Sequence, residues 1–519
     1  MDASPPRSKS RFLPPPATRV GAGIVVTRLL GLVRERLFAQ YFGNDAVAGA
    51  FRAALRIPNA IRNLLGEGTL LASFIPVYAG LIERGKDEEA KQLAGVIVSV
   101  LIVLTSAAAL IGVVLAPLIV SVVVPGFSGE TRDLTILLVK IMFPMSGLMI
   151  LSAWCLGILN THRRFFLSYA APAMWNVAQI GTLVALGATL AGARLVIALA
   201  WGALLGAVLQ LVMQLPSTLR LAGGVKWSLN IKSGGVETVF RTWIPVVVGA
   251  GVAQLSSIID TQLGSLLSAS AVAMLGYAQL LALLPISLFG VSVAASSLPE
   301  LSRSAASADI EALGRRVGGG LRRITYFAIP TAFMFASVGW LVVALLFQTG
   351  RFGSSDTELV AGILAAYAIG IPGHTLVKLI ASGHYALGDT KTPVKIATVT
   401  LVLSAALAIV LMRYLGVAGI ALGSSLVIYL NVSWNLAKLK AKLGTMYDAP
   451  RFGDLFITLT GALFASAVSY ISAEVLSGIT ILVTAPVSLT VFGVSYIAVT
   501  VLLGHPDARQ ILKGITRRE

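Results

Sequence analysis

Apolar residues run along this chain in long blocks, separated by brief polar segments that carry most of the Lys and Arg. A helix crosses the hydrocarbon core of a bilayer with about 20 predominantly apolar residues. Blocks long enough lie at 20–43, 46–82, 92–124, 134–158, 167–191, 195–219 and 239–267, and again at 271–301, 318–348, 358–386, 393–412, 415–437, 453–473 and 478–503. They predict an all-α polytopic membrane protein of about fourteen transmembrane helices. The second block is overlong. It holds Pro58 in its first half and then Gly66 and Gly68, so it predicts a kinked or broken helix, because proline removes a donor and clashes with the preceding turn.

The segments between blocks test that count independently. With the N-terminus inside, inner loops should carry an excess of Lys and Arg. The inner segments hold Arg7, Lys9, Arg11 and Arg19, then Arg84, Lys86 and Lys91, then Arg163 and Arg164, then Arg220, Lys226 and Lys232. The same holds later, from Arg303, Arg315, Arg316, Arg322 and Arg323 through Lys391 and Lys395 to Lys438, Lys440, Lys442 and Arg451, and finally Arg509, Lys513, Arg517 and Arg518. The outer loops hold only Arg132, Arg194, Arg351 and Arg413. A miscount of one span would scramble this alternation, so both termini are expected on the cytoplasmic side.

Composition changes the picture in one respect. Charged residues are only 12% of 519 and hydrophobic ones 56%, far from the roughly 25% charge of a soluble domain. The net charge of +17 therefore reads as orientation signal and contact with anionic membrane lipids, not as a nucleic-acid footprint. The single Cys155 excludes a disulfide framework, and four scattered histidines (His162, His374, His384, His505) leave no metal cluster. No cleavable signal peptide fits the first residues. No paired carboxylates, nucleophile–His arrangement or phosphate-binding loop points to an enzyme, and no cofactor is expected.

An internal repeat runs through the chain. Phe51 to Pro58 and Ser73-Phe74-Ile75-Pro76 in the second block match Tyr277 to Pro285 and Ser296-Ser297-Leu298-Pro299 in the eighth. Asn160-Thr161-His162-Arg163 likewise matches Gly388-Asp389-Thr390-Lys391. Six spans separate each pair, so the two halves are parallel repeats, a transporter architecture. The expected divisions are a cytoplasmic tail (1–19), an N-terminal lobe of spans 1–6 (20–237), a C-terminal lobe of spans 7–12 (238–448), spans 13–14 (449–504) and a second cytoplasmic tail (505–519).

The candidate chemistry is cationic. Arg28, Arg34, Arg36, Arg52, Arg56 and Arg62 fall within the first two spans. A cation at the centre of a spanning helix costs about 2.5–3.5 kcal/mol on the insertion scale, and such residues face a water-filled cavity, an anion or one another. Arg36 and Arg52 are close enough to helix ends to snorkel. Arg52, Arg56, Asn59 and Asn63 form a stripe at helical spacing, with Arg62 beside it and Glu67 a turn further on. Arg28 and Glu35 share a face of the first span. The guanidinium fork suits bidentate phosphate contact, so this set is a candidate diphosphate site. The competing reading is ion pairing, Arg28 or Arg34 with Glu35 and Arg62 with Glu67. In the eighth span the repeat offers Ala278, Leu283 and neutral neighbours instead, so most of the charge sits in the first half. Lys140 and Lys378 read as snorkelling or cavity-lining residues. Asp260, the acid well inside the later spans, is a candidate for coupling to a monovalent cation or proton, or a partner for a first-half arginine.

The stretches Thr27-Arg28-Leu29-Leu30-Gly31-Leu32-Val33-Arg34-Glu35, Phe42-Gly43, Arg56-Ile57-Pro58-Asn59-Ala60-Ile61-Arg62-Asn63-Leu64-Leu65-Gly66-Glu67-Gly68, Phe74-Ile75-Pro76, Gly157-Ile158-Leu159-Asn160 and Asp389-Thr390-Lys391-Thr392-Pro393 strongly resemble the MviN/MurJ-type lipid II flippases. The likeness covers essentially the whole chain and implies a divergent member of the multidrug, oligosaccharidyl-lipid and polysaccharide exporter superfamily. It implies two six-helix lobes around a central cationic cavity, alternating access, and two C-terminal helices forming a groove for a lipid tail. It implies lipid II, the undecaprenyl-diphosphate-linked peptidoglycan precursor, as substrate in a bacterial inner membrane, and it maps the family's cavity arginines onto Arg28, Arg34 and Arg62 with Glu67 nearby. Arg52, Arg56 and Asn59 complete the candidate substrate-binding set as its rim. Driving force would come from the membrane potential or a monovalent cation.

This chain departs from the pattern in three places. It reads Gly49 where the family carries an acid, and Gln279-Leu280 where the family carries an Asp-Arg pair after Tyr-Ala. It also shows Ser404, Ala408 and Ser424 where sodium-linked members place polar or acidic groups. Two alternatives to lipid II translocation stay open at this level: export of another polyprenyl-diphosphate-linked glycan, and a non-transporting scaffold that recruits cell-wall synthesis proteins.

Overall fold

The computed structural model describes residues 16–231, 235–307, 309–444, 446 and 448–510. The terminal cations Arg7, Lys9, Arg11, Lys513, Arg517 and Arg518, together with Lys232, lie outside these residues. Helices follow one another in chain order as α1 (Pro16–Phe42), α2 (Ala46–Leu65), α3 (Glu67–Glu83), α4 (Asp87–Val114), α5 (Ala116–Val123), α6 (Gly129–Thr161), α7 (Phe165–Ala170), α8 (Ala173–Leu186) and α9 (Gly192–Leu221). The second half comprises α10 (Val236–Leu267), α11 (Ala269–Pro285), a π-helical turn (Ile286–Val291), α12 (Ser292–Ala306), α13 (Ile310–Phe347), α14 (Ser354–Ala386), α15 (Lys391–Leu443), α16 (Phe452–Val475) and α17 (Ile481–Leu502). The fold is all-α, as the apolar blocks predict.

Every predicted span coincides with helix. Among the described residues, ten helical stretches are long and apolar enough to cross a membrane, and one of them, α15, accounts for two spans. Its backbone leaves helical geometry at Gly416 (φ 55°, ψ −133°), a positive φ that glycine adopts without strain. Beyond it the helix folds back, because Asn431 Nδ2 donates to Thr400 Oγ1 at 2.7 Å, whereas 31 residues of straight helix would separate them by about 46 Å. The remaining three spans fall on α1, α7–α8 and α10.

The overlong second block does break, and the break lies at Gly66 rather than Pro58. Pro58 sits inside an uninterrupted α2. Gly66 has φ −105° and ψ −122°, and a Cβ there would lie 2.5 Å from the Arg62 carbonyl oxygen, so the bend needs a residue without a side chain. In the eighth block a π-helical turn (Ile286–Val291) follows Pro285.

The chain separates into two compact units. The first comprises Met1–Leu37, Ile57–Ala116 and Leu138–Ala250, and the second Phe38–Arg56, Pro117–Leu137 and Gly251–Glu519. One end of each of the first four spans thus belongs with the second half of the chain. The first unit is built on Phe74, Tyr78, Leu93, Ile97 and Trp154, with Trp243 Nε1 donating to Thr69 Oγ1 at 3.2 Å. In the second unit, α13, α16 and α17 meet around Tyr326, Phe492 and Tyr496, where the Tyr496 hydroxyl donates to the Tyr326 carbonyl at 2.6 Å. With little hydrophobic drive between helices in lipid, close approach and internal hydrogen bonds carry association.

Candidate functional site

The arginines of the first two spans fall into two groups. Arg28, Arg34 and Arg62 belong to the first unit, Arg52 and Arg56 to the second. Their surroundings differ as much as their locations.

In the first unit Arg34 is held on three sides. Nη2 donates to Glu35 Oε1 at 2.5 Å and Nη1 to Asn176 Oδ1 at 3.1 Å, and the guanidinium carbon lies 4.5 Å from the centroid of the Trp175 ring. Asn176 is buried and donates in turn to the Thr27 carbonyl at 3.4 Å, which ties α8 to α1. Of the two pairings left open for Glu35, the structure forms the one with Arg34. Arg28, whose face of α1 Glu35 shares, is exposed and has no hydrogen bond or ion pair among the described residues.

Arg62 is the least satisfied of the set. It is half-buried near the end of α2. Its Nη1 faces Met149 Sδ at 3.5 Å and its Nη2 faces Asn63 Oδ1 at 3.5 Å, while its Nε is buried with no partner. An N–H···O contact at 3.5 Å is beyond the ordinary 2.7–3.2 Å range, and a thioether is a weak acceptor. The Glu67 side chain, offered by the sequence as its ion-pair partner, lies outside the described residues. Asn59 is half-buried one turn before Asn63, which is exposed.

In the second unit the opposite holds. Arg56 Nε donates to Thr261 Oγ1 at 2.8 Å and Nη2 to Gln279 Oε1 at 2.9 Å. The Gln279 amide passes the contact on: its Nε2 donates to Asp260 Oδ2 at 3.0 Å and to the Tyr367 hydroxyl at 2.9 Å, and that hydroxyl faces the same carboxylate oxygen at 3.4 Å. Asp260 and Tyr367 are buried. Arg52 packs against two aromatic rings, its guanidinium carbon 4.1 Å from the Tyr277 centroid and 5.0 Å from that of Phe38. Cation–π contacts of this kind contribute about 0.5–2 kcal/mol. Arg52 is therefore packed within the unit, where the sequence offered a snorkelling reading. Gln262, Asp260's near neighbour in sequence, turns away to the Val122 carbonyl at 2.9 Å.

Gly49 has a steric reason to be glycine. A Cβ at this position would lie 2.0 Å from the Ala269 carbonyl oxygen, so the start of α2 rests backbone to backbone on the start of α11. Gly49, Arg52 and Arg56 follow at helical spacing along that seam. Gly276 leaves room for Arg52, whose Cδ would be 2.4 Å from a Cβ there.

Lys140 and Lys378 are both exposed on their helices. Among the described residues no three His, Cys, Asp or Glu side chains gather as a metal would require. The repeated loop at Asp389 is a structural clamp. Asp389 Oδ1 accepts from the Thr392 backbone N–H at 3.0 Å, and Oδ2 meets the Lys442 ammonium and His384 Nδ1, the latter at 3.3 Å. The Lys442 hydrogen bond holds this carboxyl well below the usual carboxylate range.

Trp175, Asn176, Thr261, Gln279 and Tyr367 were not among the sequence candidates, apart from Gln279 as a departure. Each lies more than a hundred residues from the arginine it serves or on the far side of a bridge to it, so no local spacing reveals it.

Comparison with known proteins gives a consistent result. The family model described as lipid II flippase MurJ matches residues 38–502. The lipid II flippase MurJ of Burkholderia cenocepacia is 33% identical over 444 residues, covering 84% of this chain and 86% of that one. The probable lipid II flippase MurJ of Vibrio cholerae is 30% identical over 423 residues, covering 80% of each. Among solved structures, a lipid II flippase MurJ in an inward closed conformation superposes with a TM-score of 0.77 at 24% identity, over 93% of this chain and 98% of that one. An inward-facing multidrug resistance MATE family transporter superposes with a TM-score of 0.66 at 15% identity, over 83% and 99%. These last two speak to the fold alone.

Proposed function

Because this chain belongs to the lipid II flippase MurJ family, we propose that it carries lipid II across the bacterial cytoplasmic membrane by alternating access, with Arg62 and Arg28 holding the diphosphate. The observation that supports this assignment most strongly is the state of Arg62. A guanidinium inside a spanning helix with only two marginal contacts and a buried Nε that no side chain meets keeps its hydrogen-bonding capacity for an anion. A diphosphate supplies oxygens that match its planar fork, and Arg28 is exposed and open to the same ligand. Arg34, already held by Glu35, Asn176 and Trp175, acts as a fixed positive charge beside its own partners and positions α8.

The sugars and diphosphate ride in a polar path while the polyprenyl tail stays in lipid, and α16 and α17 provide its groove. The excess of Lys and Arg in alternate loops favours cytoplasmic termini. Outward movement of a net anion is assisted by an inside-negative potential at about 2.3 kcal/mol per charge per 100 mV. Asp260 is the position that a coupling monovalent cation would address.

The test is complementation in a bacterium depleted of its own lipid II flippase. The wild-type chain is expected to restore growth, and Arg62→Ala and Arg28→Ala, inserted in the membrane at wild-type levels, are expected not to. Growth of both variants at the wild-type rate overturns the assignment of the diphosphate site. Failure of the wild-type chain itself, correctly inserted, overturns lipid II as the substrate.

A further inference from the structure

A buried carboxylate in a spanning helix needs a cation, and neutral donors alone do not provide one. Around Asp260 the two hydrogen-bonding groups on Oδ2, the Gln279 amide and the Tyr367 hydroxyl, are neutral. The cation in the cluster is Arg56, and it does not touch Asp260 directly. It reaches it through one side chain, with Gln279 Oε1 accepting from the guanidinium and Gln279 Nε2 donating to the carboxylate. The amide dipole is thus aligned with both charges, its negative end on the cation and its positive end on the anion.

Arg56 also occupies two oxygens that belong to the same cluster, Thr261 Oγ1 at 2.8 Å and Gln279 Oε1 at 2.9 Å. Take the guanidinium away and the cluster presents a carboxylate, a hydroxyl, an amide oxygen and a phenol within one buried site. Such an all-oxygen set suits a hard cation. Arg56 lies inside the continuous helix α2 and is the last residue that this helix contributes to the unit.

We propose that Arg56 is a built-in counter-ion for Asp260, which fills the place of a free monovalent cation while it is seated and leaves a cation-binding site when it is withdrawn. The inference rests on the reading of Asp260 as the coupling position, and it makes Gln279 a positioning residue that joins the two charges. An amide at position 279 suits this place, because it can face a cation on one side and an anion on the other, which a second carboxylate cannot.

The experiment measures thermal unfolding of the purified full-length chain in nanodiscs while sodium chloride is exchanged for choline chloride at constant ionic strength. A ligand that binds only the folded form raises the unfolding midpoint in a saturable way. The wild-type chain and Arg56→Lys are expected to be indifferent to sodium. Arg56→Gln is expected to gain a saturable sodium-dependent rise of several degrees, and Arg56→Gln with Asp260→Asn to lose it. A wild-type response to sodium that Asp260→Asn removes overturns the proposal, as does an Arg56→Gln chain that ignores sodium, lithium and potassium. Should Arg56→Gln fail to fold, Arg56→Met removes the same cation at similar side-chain length, leaves the Thr261 and Gln279 oxygens in place and carries the same expectation, and its indifference overturns the proposal equally. No lipid II enters this assay, so its failure leaves the diphosphate assignment standing, and failed complementation leaves this proposal standing.

Discussion

Arg56 and Arg62 lie six residues apart on one helix, and they live in different chemical worlds. Arg56 has two good hydrogen bonds, at 2.8 and 2.9 Å, and an acid one side chain away. Arg62 has two contacts at 3.5 Å and a buried nitrogen with nothing against it. A membrane charges a similar toll for placing either cation in a spanning segment. The difference is in how the requirement is met: for Arg56 the protein itself meets it, and for Arg62 the protein offers only marginal contacts, which is why we propose a ligand there. Intramembrane arginines therefore divide into structural and ligand-seeking ones by the quality of their contacts rather than by depth or spacing.

The comparison is broken most forcefully at Asp260. Replacing it with Ala leaves the Arg56 charge in place without its acid, and removing one partner of a buried pair costs about 3–5 kcal/mol. Asp260→Ala is expected to lower the thermal midpoint strongly, while Arg56→Gln combined with Asp260→Asn recovers most of the loss, because neither charge is then stranded. A double variant as unstable as the single one would show that the cluster is not a charge pair. Arg62→Ala, by contrast, removes a side chain that the protein has not satisfied, so its midpoint is expected to stay near wild type.

A smaller effect is expected at the seam that brings Arg52 and Arg56 to the second unit. Gly49→Ala places a methyl 2.0 Å from the Ala269 carbonyl, and overpacking of this kind costs about 1–3 kcal/mol. Urea or heat unfolding of the purified protein should register it, with Ala269→Gly giving no rescue because the clash is with backbone.

The smallest is at the Asp389 clamp, and it depends on pH. This carboxyl titrates below its unfolded value of about 4 because Lys442 donates to it. A depressed carboxyl contributes stability that is complete above the unfolded value and is lost as pH falls through the lower, folded one. Asp389→Asn is therefore expected to be slightly less stable than wild type at pH 7, with the gap closing as pH is lowered through the acid range. A gap that is constant with pH would remove the Lys442 contact as its cause.

Much of this architecture is legible in the sequence, because hydrocarbon imposes a crude length and apolarity requirement that the blocks meet openly. The break in the second span is legible too, since Gly66 stands out in the block beside Pro58, but which of the two makes it is not. A proline within α2 is tolerated, whereas Gly66 meets a carbonyl that no side chain can approach. The site is legible only in part. Arg28, Arg34, Arg52, Arg56 and Arg62 announce themselves, but their spacing on a helix is the same whether a partner waits or not. What separates them comes from Thr261 and Gln279, over 200 residues away from Arg56, and from Trp175 and Asn176 beside Arg34. Gly49 and Gln279 are visible as departures from a pattern; why they are tolerated depends on the Ala269 carbonyl and the Asp260 carboxylate.

The central claim is that Arg62 seeks a diphosphate and Arg56 does not. Binding of lipid II to the purified chain in nanodiscs, measured for wild type, Arg62→Ala and Arg56→Gln at one salt concentration, tests it most directly. Hydrogen bonds to charged groups contribute about 1.5–3 kcal/mol, which is about 10- to 100-fold in affinity. The account predicts a loss of that size for Arg62→Ala and a much smaller change for Arg56→Gln. Equal losses in the two variants, or wild-type affinity in Arg62→Ala, would contradict it.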